Sequence, residues 1–144
     1  MIMKITLKEL IAVLIILFVT TFASYSYWKN NIPVISEMKT IEPLTYNDGV
    51  WTTSIHGKKN RNCTYIQSEN KGFAYIHDKW IEVSFYYTND DTPGSNRPIG
   101  YQIFDTWNWI ATKDTKALKL IVKHLCENDQ IVSTTIGPFK TYNN

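Results

Sequence analysis

The sequence predicts an all-β sandwich carried behind a single apolar helix. Three observations predict it. Residues Leu10 to Trp28, LIAVLIILFVTTFASYSYW, hold no charged side chain. Beyond Gly49 the chain breaks into short β-branched and aromatic runs divided by turn residues, and several of these runs alternate apolar and polar. Aromatic residues reach 14% with only 6 Gly and 5 Pro, which suits a packed β domain rather than disorder. The expected segments are an anchor or signal peptide over 1–28, a connector over 29–48 and the β sandwich over 49–144.

The helix comes first. Its opening half is almost purely aliphatic, and the apolar residues of ITLKEL extend it. A helix needs about 20 apolar residues to cross a bilayer core of about 30 Å. Such a stretch offers water no polar face, so burial in a soluble core suits it poorly. Tyr25, Tyr27, Trp28 and Lys29 stand together at its far end, where ring edges and a lysine stem fit the headgroup layer. Lys4 and Lys8 lie at the other end. The expected topology is single-pass, with the N-terminus cytoplasmic and the C-terminal domain periplasmic or extracellular. The competing reading is a signal peptide cut after Ala23, which would release a secreted β domain. Glu9 ahead of the apolar run and the bulky aromatics just beyond the cut weigh against it.

Ile5-Thr6-Leu7-Lys8-Glu9-Leu10-Ile11 resembles the start of type IV pilins and pseudopilins, where Thr-Leu-x-Glu-Leu opens a long apolar helix. The resemblance implies an assembly subunit in which Glu9 meets the N-terminal amine of a neighbour. Lys4 stands where that family has glycine, Lys8 intrudes at an apolar position, and Pro33 ends the helix earlier than a pilin stem ends.

Asn30, Asn31 and Pro33 stop the helix, and Pro43 with Asn47-Asp48-Gly49 marks a turn. Between them Ile35, Met38 and Ile41 fall at helical spacing. Strands are expected over 49–55, 62–67, 72–77, 80–88 and 99–104. The clearest is Trp80 to Thr88, where Ile81, Val83, Phe85 and Tyr87 alternate with polar neighbours. NDDTPGSNRP, residues 89–98, reads as a long turn. Residues 116–126 fit two periods. Leu118, Ile121, Val122 and Leu125 fit a helix face, whereas Leu118, Leu120, Val122, His124 and Cys126 fit a strand face. The turn over 127–130 and the β-branched run from Ile131 to Ile136 favour a strand, as one arm of a hairpin.

Two cysteines, Cys63 and Cys126, exclude a four-cysteine zinc site. In an exported domain they suit one disulfide, and two buried free thiols are the alternative. Six or seven strands with Cys63 early and Cys126 late suggest an Ig-like sandwich with one inter-sheet disulfide and Trp80 between the cysteines as the core indole. The tyrosine-corner position is His124 instead. Arg61-Asn62-Cys63, Cys126 and Gly137-Pro138-Phe139 resemble small single-pass proteins encoded by phages and prophages, which carry an N-terminal helix and an Ig-like domain. That resemblance implies fold more than role.

Little in the chain suggests chemistry. The 15 Lys and Arg against 13 Asp and Glu give a net charge of +2, and no basic run is present to hold nucleic acid. His56, His77 and His124 are scattered without metal-ligand spacing. His77 and Asp78 are adjacent on an expected strand, so they face opposite sides and cannot act at one point. Asp90 and Asp91 lack the spaced oxygens of a calcium loop. Trp107-Asn108-Trp109 puts two indoles on one strand face. Exposed, Trp107 and Trp109 would make a patch for a sugar or a protein; buried, they are core. The expectation is a protein that is not an enzyme and carries no cofactor. It would be tethered to the lipid bilayer, with another protein or a cell-envelope component as partner.

Overall fold

The structure is a computed structural model and describes residues 6–88 and 97–142. It falls into two units, the first ending at Ile32 and the second starting at Pro33.

The first unit is one helix, α1 (Leu7–Asn31). Thr6 caps it. The Thr6 N–H donates to Glu9 Oε2 at 2.7 Å, and the Glu9 N–H donates back to Thr6 Oγ1 at 3.4 Å. This reciprocal box satisfies two donors at the helix start. Farther along, Thr20 and Thr21 donate their hydroxyls to the carbonyls of Ile16 and Leu17, at 2.9 and 2.8 Å. Both hydroxyls are thus satisfied by the helix's own backbone. The helix stops just ahead of Pro33, as the breaker predicts. Asn31 closes it by donating from Nδ2 to Tyr27 O at 2.7 Å.

Among the described residues the second unit holds nine strands: β1 (Ile35–Thr40), β2 (Thr45–Asn47), β3 (Val50–Lys59), β4 (Thr64–Ile76), β5 (Lys79–Val83), β6 (Phe85–Thr88), β7 (Gly100–Ile110), β8 (Ala117–Leu125) and β9 (Ile131–Lys140). One antiparallel sheet runs β1-β3-β7-β6, with β2 also on β3; the other runs β5-β4-β8-β9. Trp51, Ile55, Trp107 and Trp109 of the first sheet form one buried cluster with Ala74, Leu118, Leu120, Val122 and Ile136 of the second. Gly72 lies at a close approach of the two sheets. A Cβ there would stand 2.8 Å from Phe85 Cβ and 3.1 Å from the Trp109 ring, so a side chain would force β4 away from the first sheet.

The β sandwich behind an apolar helix is therefore what the chain forms. The ambiguous stretch is a strand. Its buried residues are Leu118, Leu120, Val122 and His124, the alternation of a strand rather than the three-and-four spacing of a helix. A single 3-10 turn, Glu127–Asp129, joins it to β9.

Four details differ from the sequence reading. The connector expected over 29–48 holds β1 and β2, both paired on β3. The three-residue spacing of Ile35 and Met38 comes from a bulge rather than a helical turn: Glu37 takes φ 55° and the β1–β3 register shifts between Ser36 and Lys39. Second, the run Trp80–Thr88 is two strands. β5 pairs with β4, β6 pairs with β7, and Ser84 carries the chain between sheets. Alternation survives because Val83, Phe85 and Tyr87 keep facing inward across the step. Third, Trp80 is exposed on β5 rather than central, and Lys119 Nζ sits 4.2 Å above its ring. Fourth, Cys63 and Cys126 are bonded, but within one sheet. Thr64 pairs with Leu125, so the cysteines stand one step beyond the ends of neighbouring strands β4 and β8. Sequence marks strands; only pairing shows which sheet each joins.

Candidate functional site

The apolar helix is the first candidate element. Leu7–Trp28 forms 22 residues of mean hydropathy 2.0, and none of that stretch is buried in the protein. At 1.5 Å per residue it measures about 33 Å, enough for a bilayer core of about 30 Å. Tyr25, Tyr27 and Trp28 are exposed at its C-terminal end. Lys29 belongs to the helix, and its side chain lies outside the described residues. The Glu9 carboxylate is engaged with Thr6, so the Thr-x-x-Glu spacing has a local capping role.

The indole pair does not form a surface patch. Trp107 and Trp109 are both buried, packed edge-on to Phe85. The patch reading is corrected: β7 turns both rings inward, and Trp109 Nε1 donates to Lys119 O at 3.1 Å in the opposite sheet.

The histidines are dispersed. His56 lies on β3, opposite Ile103. His77 and Asp78 are the two central residues of the β4–β5 turn, both with positive φ, rather than strand residues. Each reaches a different neighbour: His77 Nε2 lies 3.3 Å from Asp114, and Asp78 lies 3.2 Å from Lys116 Nζ. Among the described residues no group of three or more His, Cys, Asp or Glu side chains is placed to hold a metal ion. Asp90 and Asp91 lie outside the described residues.

Two surfaces among the described residues offer apolar contact. Ile99, Tyr101 and Ile103 project from the outer side of the first sheet, Tyr101 being 68% exposed. Lys58 Nζ stands 5.5 Å over the Tyr101 ring, and Tyr101 donates to Glu37 Oε2 at 2.7 Å. A groove of about 420 Å³ opens along Met38, Pro43, Leu44, Pro138, Phe139 and Tyr142, where the edges formed by β1 and β9 meet.

The least expected feature is polar and internal. β3 buries every second residue, Trp51, Thr53, Ile55, Gly57 and Lys59. Lys59 is only 6% exposed and donates to Arg97 O at 2.6 Å. Burial lowers its pKa, and the nearby Arg97 lowers it further. His124, on β8, is 4% exposed and lies against the Tyr65 ring. Burial pushes its pKa down to about 4, with Lys59 adding to the shift. Period-two counting along both strands carried this signal.

The depressed His124 pKa predicts an acid sensitivity. An unfolded histidine titrates near about 6.5. Between that pH and about 4 the unfolded chain takes up a proton that the folded chain refuses. Stability is therefore full above about pH 6.5 and falls as pH drops toward 4, by about 3 kcal/mol in total. Urea unfolding of the full chain in maltoside micelles across this range measures it. His124→Leu should remove this component, and parallel curves for the two proteins would refute the assignment.

No family model, curated protein or solved structure matches this chain.

Proposed function

We propose that the chain is a single-pass membrane protein that presents an Ig-like β sandwich outside the cytoplasm, where it binds a partner or an envelope component without catalysing a reaction. The observation that carries this is Leu7–Trp28, an apolar helix long enough to span whose large apolar side chains are exposed. In water so much apolar surface would drive association. A bilayer covers it at no such cost. The helix runs unbroken through Ala23 to Asn31, which supports an anchor over a cleaved signal.

The Ig-like reading is supported by strand order. With β1, β3, β7 and β6 as A, B, E and D, and β5, β4, β8 and β9 as C′, C, F and G, the two sheets follow the immunoglobulin arrangement. The family's usual pins differ, since the bridge joins the C and F positions within one sheet. A binding role is supported by the exposed Ile99–Tyr101–Ile103 row and by the groove at Phe139.

Carbonate extraction and intact mass test the reading together. The protein should stay in the membrane pellet and retain its N-terminal helix. Recovery in the wash, with a mass starting at Ser24, would establish the secreted alternative instead.

A further inference from the structure

A sheet edge is a row of unpaired backbone donors and acceptors, and natural proteins guard it with charges, prolines, bulges or short length. β1, β5 and β6 follow this rule. β1 carries the bulge at Glu37 and the exposed Lys39. β5 is five residues long and carries Lys79 and Glu82. β6 is four residues long. β9 departs from the rule. It is the last strand of its sheet among the described residues and runs for ten residues. Residues 131–136, IVSTTI, hold no charge, glycine or proline and are rich in β-branched side chains.

The free backbone groups of β9 can be assigned. The Cys126 N–H donates to Gln130 O at 2.8 Å, so these two form a hydrogen-bonded pair across the hairpin. Such pairs alternate along an antiparallel ladder. With His124 opposite Val132 and Val122 opposite Thr134, the even-numbered residues of β9 bond to β8. The N–H and C=O groups of Ile131, Ser133 and Thr135 therefore point away from β8, out of the sheet edge. The two ends of β9 also carry opposite charge. The turn Glu127–Asp129 precedes it, with Asp129 exposed. Lys140 closes it and lines the groove at that end together with Lys39.

We propose that β9 is the interface between two copies of this chain, paired antiparallel about Ser133 so that their sheets join into one. Ser133 then faces the partner's Ser133 and Ile131 faces the partner's Thr135, so the outward-pointing residues of each copy bond one another. The antiparallel arrangement sets the acidic end of each strand against the basic end of the other, twice, because a two-fold interface is self-complementary. An extended segment of another protein would use the same backbone groups; the matched charges at the two ends favour a second copy. The edge belongs to the sandwich, so this inference does not rest on the membrane reading above.

The test is sedimentation equilibrium of the full chain in density-matched maltoside micelles. The wild type should carry the mass of two chains. Ser133→Lys and Ser133→Glu set like charges directly opposite at the two-fold centre, and each should weaken association by about tenfold. Residue 133 is exposed, so neither variant disturbs the core. Mixing the two variants should restore the two-chain mass, because opposite charges then meet; restoration also shows that both variants fold. A wild type that stays at one chain overturns the proposal and leaves the edge to a segment of another protein. A two-chain mass unchanged by Ser133→Lys overturns it by placing the contact elsewhere, the apolar helix included. A mixture that stays at one chain overturns the pairing about Ser133.

Discussion

Replacing Cys63 and Cys126 with serine lowers the unfolding free energy of the sandwich by about 4 kcal/mol. The bridge closes a loop of 63 residues, and in the chain-entropy model a cross-link of that span restricts the unfolded chain by about this amount. Its position matters as well. The bond ties the ends of β4 and β8, the central pair of the second sheet, next to the buried His124. Losing it frees both strand ends and admits water beside His124. Domains of this size are stable by about 5–15 kcal/mol, so the reduced protein should unfold at markedly lower denaturant. Urea unfolding of the double variant and the wild type in micelles measures the difference. A midpoint shift worth under about 1 kcal/mol would mean that strand pairing alone holds this end.

The intra-sheet bridge also shows what the sequence could and could not reveal. β3 and β8 are visible on their own through the period of two. Trp51, Thr53, Ile55, Gly57 and Lys59 follow it on β3, and Leu118, Leu120, Val122 and His124 follow it on β8. The same count places Lys59 and His124 inside, although residue type alone would leave both on the surface. Sheet membership is set by long-range pairing and leaves no local mark. Nothing in Val83-Ser84-Phe85 announces a change of sheet, because the inward parity is unbroken there. Bulges mislead in the opposite direction. The extra residue at Glu37 converts a strand's spacing into a helix's, and another in β7 lets Phe104 and Trp107, three apart, both pack on the core. The helix was legible because an uninterrupted apolar run is a property of composition that needs no partner strand.

Trp109→Ala should cost about 3–5 kcal/mol, the range for removing a large aromatic from a packed core. The indole is fully buried. It meets Phe85 at 5.1 Å, Trp107 at 6.0 Å and Phe139 at 6.5 Å between ring centroids, so it joins β6 and β7 of one sheet to β9 of the other. Its Nε1–H also donates to Lys119 O on β8. Two further variants separate these contributions. Trp109→Phe keeps an apolar ring but loses the donor, and should cost about 1–2 kcal/mol. Trp80→Ala removes an indole that is 37% exposed and should cost far less than Trp109→Ala. The contrast between the two alanine variants is the sharper measurement, because the sequence gives no reason to rank the two tryptophans in this order. Equal losses at both positions would mean that the sheets do not pack through Trp109. The buried end at Lys59 and His124 would then lose its enclosing walls as well.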